Sequence, residues 1–367
     1  MSLLREGQEI RRAYVVERFL GEGAFAEVYR VKHRFLGRQA MKVFKTTGLS
    51  AHEIEGMLSE AIILSRIGHP NIVRVFDADV AETKDGSYGY FTMEYVAGGS
   101  LDDFWRSHGS QFVPVKTAVD ILRQVCRGLA VAHSDNPPII HRDIKPQNIL
   151  IGYDPDGIRA RVSDFGLAKH VNPLTLMATA RGTRCFKAPE AFRDPNSDSR
   201  AGDVWALGST LYLLLTDRLP FSALGDMDNF DATSFERPMI PASRLNILVD
   251  ASLDQIISRA LDLDAVKRYR SAGEMLQDLD HWTPREITAS MKTSSSPDAS
   301  KSAMGPGGTS FDEQQAQKMA RDAIAMSHQL GKLSVAADLM EEAFNKWPDL
   351  RKHYEYQLQL WRKGIAM

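Results

Sequence analysis

The first hundred residues alternate between apolar and polar positions with the period of β-strands. Segments rich in β-branched and aromatic residues are separated by turns that contain glycine. These segments are YVVERFL (14–20), AEVYRVKH (26–33), RQAMKVFK (38–45), IVRVFDADV (72–80) and YGYFTMEYV (88–96). Between the third and the fourth, Ala51–Ile67 has apolar residues at helical spacing. The pattern predicts a sheet interrupted by one helix.

After Gly98 and Gly99 the hydrophobic period changes to that of helices. Helical spacing of apolar residues is found at 118–133, 203–216 and 253–264. The most apolar stretch, Trp205–Leu215, is shorter than the roughly 20 residues that a membrane span needs, so it predicts a buried core helix. A small β-rich lobe therefore precedes a larger helical lobe.

Apolar residues become rare after Trp282. The segment 283–310 is rich in Ser, Thr, Pro and Gly, a composition typical of a flexible linker. Helical periodicity returns over 311–367, which predicts a separate small helical module. Its residues Gly331, Ala336, Met340, Ala343 and Pro348 have the spacing of one tetratricopeptide repeat. A plain helical hairpin is the alternative, and either form could bind a partner or self-associate.

Composition narrows the function classes. The chain has 367 residues, 43% hydrophobic and 25% charged, which is typical of a globular protein. A formal net charge of −2 argues against nucleic-acid binding. Two cysteines exclude a disulfide scaffold, and the charged N-terminus has no signal-peptide run. We therefore expect a cytoplasmic location without direct membrane insertion.

The segment GEGAFAEVYR (21–30) has a glycine spacing that fits two kinds of phosphate-binding loop. A dinucleotide fingerprint needs a helix directly after the glycines, because the helix N-terminus receives the pyrophosphate. Here the following residues alternate like a strand, which excludes that class. Taken alone, the remaining glycine pattern is equally compatible with an ordinary hairpin turn.

Residues further along the chain indicate which kind of loop this is. Lys42 follows on the next strand and Glu60 on the predicted helix, then come HRDIKPQN (141–148) and DFG (164–166). In this order they make the chain, over about Tyr14–Trp282, resemble the protein kinases of the serine/threonine type. Further matches are Ala188-Pro189-Glu190, DVWALG (203–208) and RYRSAGEML (268–276), and the closing pattern resembles bacterial members.

The resemblance implies an α+β, two-lobed kinase fold. A small antiparallel β lobe with one helix (about 14–97, the N-lobe) would precede a mainly α lobe (about 98–282, the C-lobe). Residues 1–13 would form an N-terminal extension. It also implies an enzyme that transfers the γ-phosphate of ATP to Ser or Thr hydroxyls of protein substrates, with Mg²⁺, or Mn²⁺ as the alternative, as metal.

The same resemblance assigns site residues. Lys42 would hold the α- and β-phosphates and Glu60 would hold Lys42. Asp143 would accept the proton of the substrate hydroxyl, and Lys145 would neutralise the γ-phosphate. The expected metal ligands are Asn148 and Asp164. The expected nucleotide-binding residues are Leu20, Gly21, Gly23, Val28, Ala40, Lys42, Glu94, Val96 and Leu150, with Met93 at the back of the adenine pocket or in the core.

Regulation is also predicted by resemblance. Arg142 would receive a phosphate carried by the activation loop, with Thr179 as the first candidate and Thr175 as the second. Glu190 and Arg268 would form a buried ion pair. The chain departs from the family at Arg184, Phe186 and Lys187, and at Ala26, where a third glycine is usual. The competing hypothesis is a pseudokinase scaffold, which the complete set of Lys42, Glu60, Asp143, Asn148 and Asp164 disfavours.

Overall fold

A computed structural model describes most of the chain. The described residues are 2–23, 26–45, 67–83, 86–109, 112–154, 157–165, 184–194, 197, 199–222, 230–284, 316, 319–320, 323–324, 326–327 and 333–362. They divide into two compact units. One lies within Met1–Asp103 and Phe112–Trp282, and the other within Phe104–Gln111 and Thr283–Met367.

The first unit begins with an antiparallel sheet. Within the described residues it has six strands in the order β1-β2-β3-β4-β6-β5. The strands are β1 (Glu9–Ile10), β2 (Tyr14–Glu22), β3 (Ala26–His33), β4 (Gly37–Phe44), β5 (Val75–Thr83) and β6 (Gly86–Glu94). Every neighbouring pair of strands is antiparallel. Antiparallel neighbours that follow one another in sequence can be joined by a short turn.

The two faces of the sheet follow from the strand period of two. One face is covered by the N-terminal segment, whose Leu4 joins a buried cluster with Tyr29, Met41 and Tyr90. The other face carries Val28 and Lys42, which are cross-strand partners, and Ala40. The N-terminal extension thus completes the core on one side, and three predicted site residues share the opposite side.

The strand predicted at 72–80 is only partly right, since β5 begins at Val75. The residues before it pair elsewhere. The Val73 amide donates to the Val162 carbonyl at 2.9 Å, and the Val162 amide donates to the Asn71 carbonyl at 2.9 Å. Apolar, strand-like residues at 72–73 therefore serve a second, small sheet rather than the large one.

That small sheet is a hairpin of β7 (Ile149–Asp154) and β8 (Gly157–Val162), which the hydrophobic pattern did not predict. Its register pairs Leu150 with Arg161 and Ile151 with Ala160. Ile151 and Ala160 are fully buried, whereas Leu150 and Arg161 lie on the other face. The hairpin follows directly after the predicted catalytic residues and carries Leu150.

The remaining elements of the first unit are helical. They are α1 (Leu101–Arg106), which continues across the boundary between the units, α2 (Val115–His133), α3 (Pro189–Arg193), α4 (Arg200–Thr216), α5 (Ala242–Leu245), α6 (Ala251–Ala260) and α7 (Ala272–His281). Short 3₁₀ turns occur at Pro146–Asn148, Arg184–Phe186 and Ala232–Glu236. The helices predicted at 118–133, 203–216 and 253–264 correspond to α2, α4 and α6.

Helix α4 is the core helix that its composition predicts. It begins after Ser199, whose hydroxyl accepts the Gly202 amide at 3.0 Å, and ends at Asp217 in the left-handed conformation. Fourteen of its residues are buried, which explains the lack of a polar face. Gly208 lets α6 approach, because a Cβ there would lie 2.9 Å from the Ala260 Cβ. No described helix meets the length and apolarity that a membrane span requires.

The second unit contains α8 (Leu333–Lys346) and α9 (Arg351–Arg362), joined by a 3₁₀ turn at Pro348–Leu350. Its core combines small and large residues: Ala316, Ala320, Ala323, Ala336, Ala337, Met340, Ala343, Phe344, Leu350 and Trp361. Ala336, Met340 and Ala343 are thus buried as the repeat spacing requires, while Gly331 lies outside the described residues. The helical content is as expected, and the repeat assignment stays a prediction.

The predicted fold class, a small antiparallel β lobe followed by a larger helical lobe, is confirmed for the first unit. Of the helix predicted at Ala51–Ile67, residues 51–66, with Glu60, lie outside the described residues. So does most of the linker predicted at 283–310. The domain boundaries themselves stay predictions.

Candidate active site

The segment His141–Asn148, called here the catalytic segment, leads from α2 to β7. The Asp143 carboxylate contacts two neighbours: Lys145 Nζ lies 2.9 Å from its Oδ2, and Asn148 Nδ2 donates to the same oxygen at 2.9 Å. Asn148 also donates to the Asp143 carbonyl at 2.8 Å. Since the Asp143 side chain is 25% exposed, this carboxylate is oriented by its neighbours yet open on one side.

Asp203 on α4 anchors the catalytic segment through its backbone amides. Its carboxylate accepts the amides of His141 at 2.8 Å and Arg142 at 2.9 Å, and His133 Nε2 at 3.0 Å. Arg142 has φ +71°, in the left-handed region that costs a non-glycine residue about 1–3 kcal/mol. Both Asp203 and His133 are almost completely buried. The anchor therefore supports a strained backbone immediately before Asp143.

Burial raises the pKa of Asp203, but the hydrogen bond from His133, the electrostatic effects of His133 and His141 and the hydrogen bond from the His141 amide outweigh burial and leave this pKa below its usual value. The Ala272 amide donates to His133 Nδ1 at 3.1 Å, so Nε2 is the nitrogen that donates to Asp203. These contacts together stabilise the buried Asp203 carboxylate.

His141 connects the catalytic segment to the residue before Asp164. Its Nδ1 accepts the Asp143 amide at 3.2 Å and its Nε2 donates to the Ser163 carbonyl at 2.8 Å. Burial, partly opposed by Asp203, lowers the pKa of His141, in keeping with this neutral tautomer. His141 is fully buried, so it is a packed scaffold residue of the site.

Ser163 holds the second part of the site in register with the first. Its amide and its hydroxyl donate to the Asn148 carbonyl at 2.9 Å and 3.1 Å. Phe165, on the other side of Asp164, packs its ring 4.5 Å from the His141 ring. Asp164 itself has φ +59°. The two predicted metal ligands, Asn148 and Asp164, are therefore linked through a short buried network.

Lys42 on β4 forms an ion pair with Asp164, with 2.6 Å between Nζ and Oδ1. Both side chains are partly buried, 13% and 26% exposed, so the pair is less screened than a surface pair. The pairing of Lys42 with Glu60 that the sequence predicts falls outside the described residues. The structure thus joins one predicted catalytic residue from the sheet to one predicted metal ligand from the helical lobe.

The glycine loop joins β2 to β3. The Gly23 amide donates to the Ala26 carbonyl at 2.8 Å, which closes the loop, and a Cβ on Gly21 would meet no atom within 4 Å. Ala26 is the first residue of β3 and its side chain is buried. The space beside Gly21 is thus open, and Leu20 next to it is exposed.

The predicted adenine-contacting residues lie on three elements. Val28 is on β3, and Ala40 on β4 pairs with Met93 on β6. Leu150 is on β7 and is half-buried. Met93 is 6% exposed, which is compatible with either role predicted for it. The hinge segment, Glu94–Val96, follows β6, and Arg18 Nη2 donates to the Tyr95 hydroxyl at 3.3 Å.

Of the predicted activation loop, Asp164–Glu190, the structure describes residues 164–165 and 184–190. Thr175 and Thr179 lie outside the described residues. Lys187 Nζ donates to the Arg142 carbonyl at 2.6 Å, so this departure from the family pattern contacts the catalytic segment. Arg268 Nη1 and Nη2 each donate to the Glu190 carboxylate at 2.7 Å. The predicted Glu190–Arg268 pair is confirmed.

Sequence reasoning missed several residues that shape the site. Asp203, Ser163 and Arg161 were not assigned roles, and Lys187 was noted only as a departure. Asp203 lies within the recognised DVWALG segment, so that motif was the available signal. Together the described side chains offer an oriented carboxylate, two lysines and hard oxygen donors, an arrangement suited to phosphoryl transfer.

Comparisons with known proteins agree with this arrangement. The family model for the protein kinase domain matches residues 14–279. The serine/threonine-protein kinase PknB of Mycolicibacterium smegmatis is 34% identical over 74% of this chain and 43% of its own length. The serine/threonine-protein kinase ATG1c of Arabidopsis thaliana is 36% identical over 57% of this chain and 27% of its own length.

Among solved structures, the kinase domain of Mycobacterium tuberculosis PknI superposes with a TM-score of 0.56 at 26% identity. The match covers 76% of this chain and 98% of that one. By contrast, the chain spans less than half the length of the curated relatives given above. The likeness concerns their kinase part.

Proposed function

The chain belongs to the protein kinase family, and from that premise we propose that it is a serine/threonine protein kinase. It would transfer the γ-phosphate of ATP to Ser or Thr hydroxyls of protein substrates. The observation that carries the proposal is the Asp143 carboxylate, which Lys145 and Asn148 hold at 2.9 Å each in a site that also contains the Lys42–Asp164 pair.

In the proposed reaction Asp143 accepts the proton of the substrate hydroxyl as its oxygen bonds to the γ-phosphorus. The bond from that phosphorus to the bridging oxygen breaks, and ADP leaves. Lys145, beside Asp143, stabilises the charge on the transferred group. The transition state is loose, so positioning and charge stabilisation account for most of the rate. The Asp203 anchor contributes positioning.

The residues present fit Mg²⁺. Asn148 donates through Nδ2 to Asp143, an orientation that presents its Oδ1, and Asp164 presents a carboxylate. Hard oxygens of this kind, completed by phosphates and water, are what Mg²⁺ prefers, and the same set would accept Mn²⁺. A bound Mg²⁺ would neutralise phosphate charge. Asn148 and Asp164 would hold it, and Ser163 keeps the two ligands in register.

The nucleotide would lie between the lobes of the first unit. Gly21 and Gly23 would let the loop backbone approach the phosphates without a side chain in the way, and Lys42, held by Glu60, would bind the α- and β-phosphates. The ion pair of Lys42 with Asp164 supports this. Adenine would be bound by the hinge segment and packed between apolar side chains. Those residues are Leu20, Val28, Ala40 and Leu150.

The decisive experiment incubates the purified full chain with labelled Mg-ATP. Wild type should incorporate phosphate into itself or a generic protein substrate, and Asp143→Asn should not, because the proton acceptor is lost. Asp154→Asn, on the β7–β8 hairpin, is the matched control and should keep activity. Transfer that is unaffected by Asp143→Asn would refute the proposal. Nucleotide binding without transfer in wild type would favour a pseudokinase scaffold.

We also propose regulation through the activation loop. A phosphate on Thr179, or second on Thr175, would be bound near Arg142, whose backbone Lys187 already contacts. Mass spectrometry of the labelled wild-type protein should locate phosphate on Thr179. A fully active protein with unmodified Thr179 and Thr175 would contradict this.

For the whole chain we propose a kinase domain over 14–282, a linker over 283–310 and a tetratricopeptide-like module over 311–367 that binds a partner or self-associates. A bacterial type of kinase is supported by the longer alignments, 72–75% of this chain, with bacterial relatives. The two free cysteines, Cys126 and Cys185, support a reducing, cytoplasmic location.

A further inference from the structure

The backbone that follows the hinge segment is bound to the β7–β8 hairpin. The Ile151 amide donates to the Gly99 carbonyl at 2.9 Å, and Ser100 forms an isolated bridge with Leu150. Gly98 is required here, since a Cβ on it would lie 2.2 Å from the Ile151 carbonyl oxygen. The hairpin that carries Leu150 is therefore the support on which the chain leaving the hinge rests.

The hairpin also contacts the start of the hinge segment through a side chain. Arg161 is the cross-strand partner of Leu150, so both side chains lie on one face of the hairpin. Arg161 Nε lies 3.1 Å from Glu94 Oε1, with the two side chains 17% and 32% exposed. The face that presents Leu150 thus also presents the cation that holds Glu94.

Gly152 supplies the space that this contact needs. A Cβ on Gly152 would lie 2.7 Å from Arg161 Nη1 and 3.4 Å from Val96 Cγ1. The guanidinium therefore lies over Gly152, next to the third residue of the hinge segment. Because the crowded atom is the far end of a flexible side chain, an added methyl group would displace the guanidinium rather than the backbone.

We propose that Arg161 is a positioning residue for nucleotide binding, which acts by holding Glu94 across Gly152 and so fixing the hinge segment against the β7–β8 hairpin. The inference rests on the proposed function, because the hinge segment is the backbone proposed to bind adenine. We expect its effect on binding rather than on chemistry, because its ion-pair partner Glu94 lies in the hinge segment.

The chain offers a matched control on the same face. Arg159 is two residues before Arg161 and pairs with Asp154, with 2.7 Å between Nε and Oδ2. Its burial resembles that of the Arg161 pair, at 30% and 32% exposed, but its partner is at the far end of the hairpin. Loss of Arg159 removes an equivalent ion pair without touching the hinge segment.

The experiment measures Mg-ADP affinity by calorimetry for wild type, Arg161→Gln, Glu94→Gln, the double variant and Arg159→Gln. Partly exposed ion pairs contribute up to about 1 kcal/mol, so Arg161→Gln should weaken binding about two- to fivefold. Arg159→Gln should not weaken it. The double variant should match Glu94→Gln, because Arg161 acts through Glu94. For Arg161→Gln, the kcat at saturating ATP should differ from that of wild type by less than about twofold.

Gly152→Ala tests the same arrangement without changing charge, and should weaken Mg-ADP binding as Arg161→Gln does. Equal affinity of wild type, Arg161→Gln and Gly152→Ala would overturn the inference while leaving the proposed function intact. So would an equal loss for Arg161→Gln in the wild-type and Glu94→Gln backgrounds, which would mean direct contact with nucleotide. A wild type that binds no nucleotide would overturn both.

Discussion

The catalytic segment and the glycine loop lie on opposite lobes and are held in different ways. The catalytic segment is fixed by buried side chains, since the Asp203 carboxylate and His141 Nδ1 accept its backbone amides. The glycine loop is closed by a backbone contact, the Gly23 amide on the Ala26 carbonyl. Several side-chain contacts thus hold the groups proposed to do chemistry. The loop proposed to cover the phosphates is held by a contact between backbone atoms.

The largest effect is expected from removing the Asp203 side chain that anchors the catalytic segment. Asp203→Ala would leave the His141 and Arg142 amides and His133 Nε2 buried without their acceptor. We expect a loss of about 3–5 kcal/mol in the free energy of unfolding, measured by urea denaturation at constant m-value. Asp203→Asn, which keeps one acceptor oxygen, should lose less. A loss below about 1 kcal/mol for Asp203→Ala would show that the segment is held by something else.

The pH dependence of that anchor gives a second test. The folded-state pKa of Asp203 is lowered, because its interactions with His133 and His141 outweigh burial, from an unfolded value near about 3.9. Its stabilisation is therefore complete above the unfolded pKa and is lost as pH falls through the folded pKa. The stability difference between wild type and Asp203→Asn should stay constant from about pH 7 to pH 5 and shrink below about pH 4.

Unfolding curves at several pH values measure this difference. A difference that already shrinks between about pH 7 and pH 5 would contradict the assignment of this pH dependence to Asp203.

The smallest expected effect concerns the glycine loop. Ala26→Gly restores the glycine that is usual in the family, at a buried position that begins β3. The Gly23–Ala26 contact uses backbone atoms only, so it should persist. We expect nucleotide affinity or turnover to change only a few-fold, well under about 1.4 kcal/mol. Steady-state kinetics over a range of ATP concentrations measure this change. A tenfold change would show that Ala26 itself sets the nucleotide affinity or turnover of the enzyme.

The same contrast explains what the sequence could predict of the fold. Amphipathic periods located β2–β4, β6 and helices α2, α4 and α6, because each buries one face or all of its surface. The β7–β8 hairpin was missed, since its two short strands pair with each other and with the distant Ile72 and Val73. Pairing of this kind depends on tertiary contacts that leave no local period.

The candidate site was predictable where its residues are close in sequence. Asp143, Lys145 and Asn148 fall within six positions, so a motif identifies them together. Asp203 and Arg161 contribute through long-range contacts, Asp203 to His141 and Arg161 to Glu94. Their residue types are common, and only folding brings them to these partners. The roles assigned to the site residues stay predictions until the experiments above.

The attachments of the β7–β8 hairpin have a mechanical consequence. The Glu94 amide is bound to Arg74 in the N-lobe and the Gly99 carbonyl to Ile151 in the C-lobe, so only Tyr95–Gly98 span the gap between these contacts. The residues before β5 are bound to Val162 and form a second attachment point. A rotation of the lobes about the line through these two points would be taken up by about eight soft dihedral angles in the four-residue span.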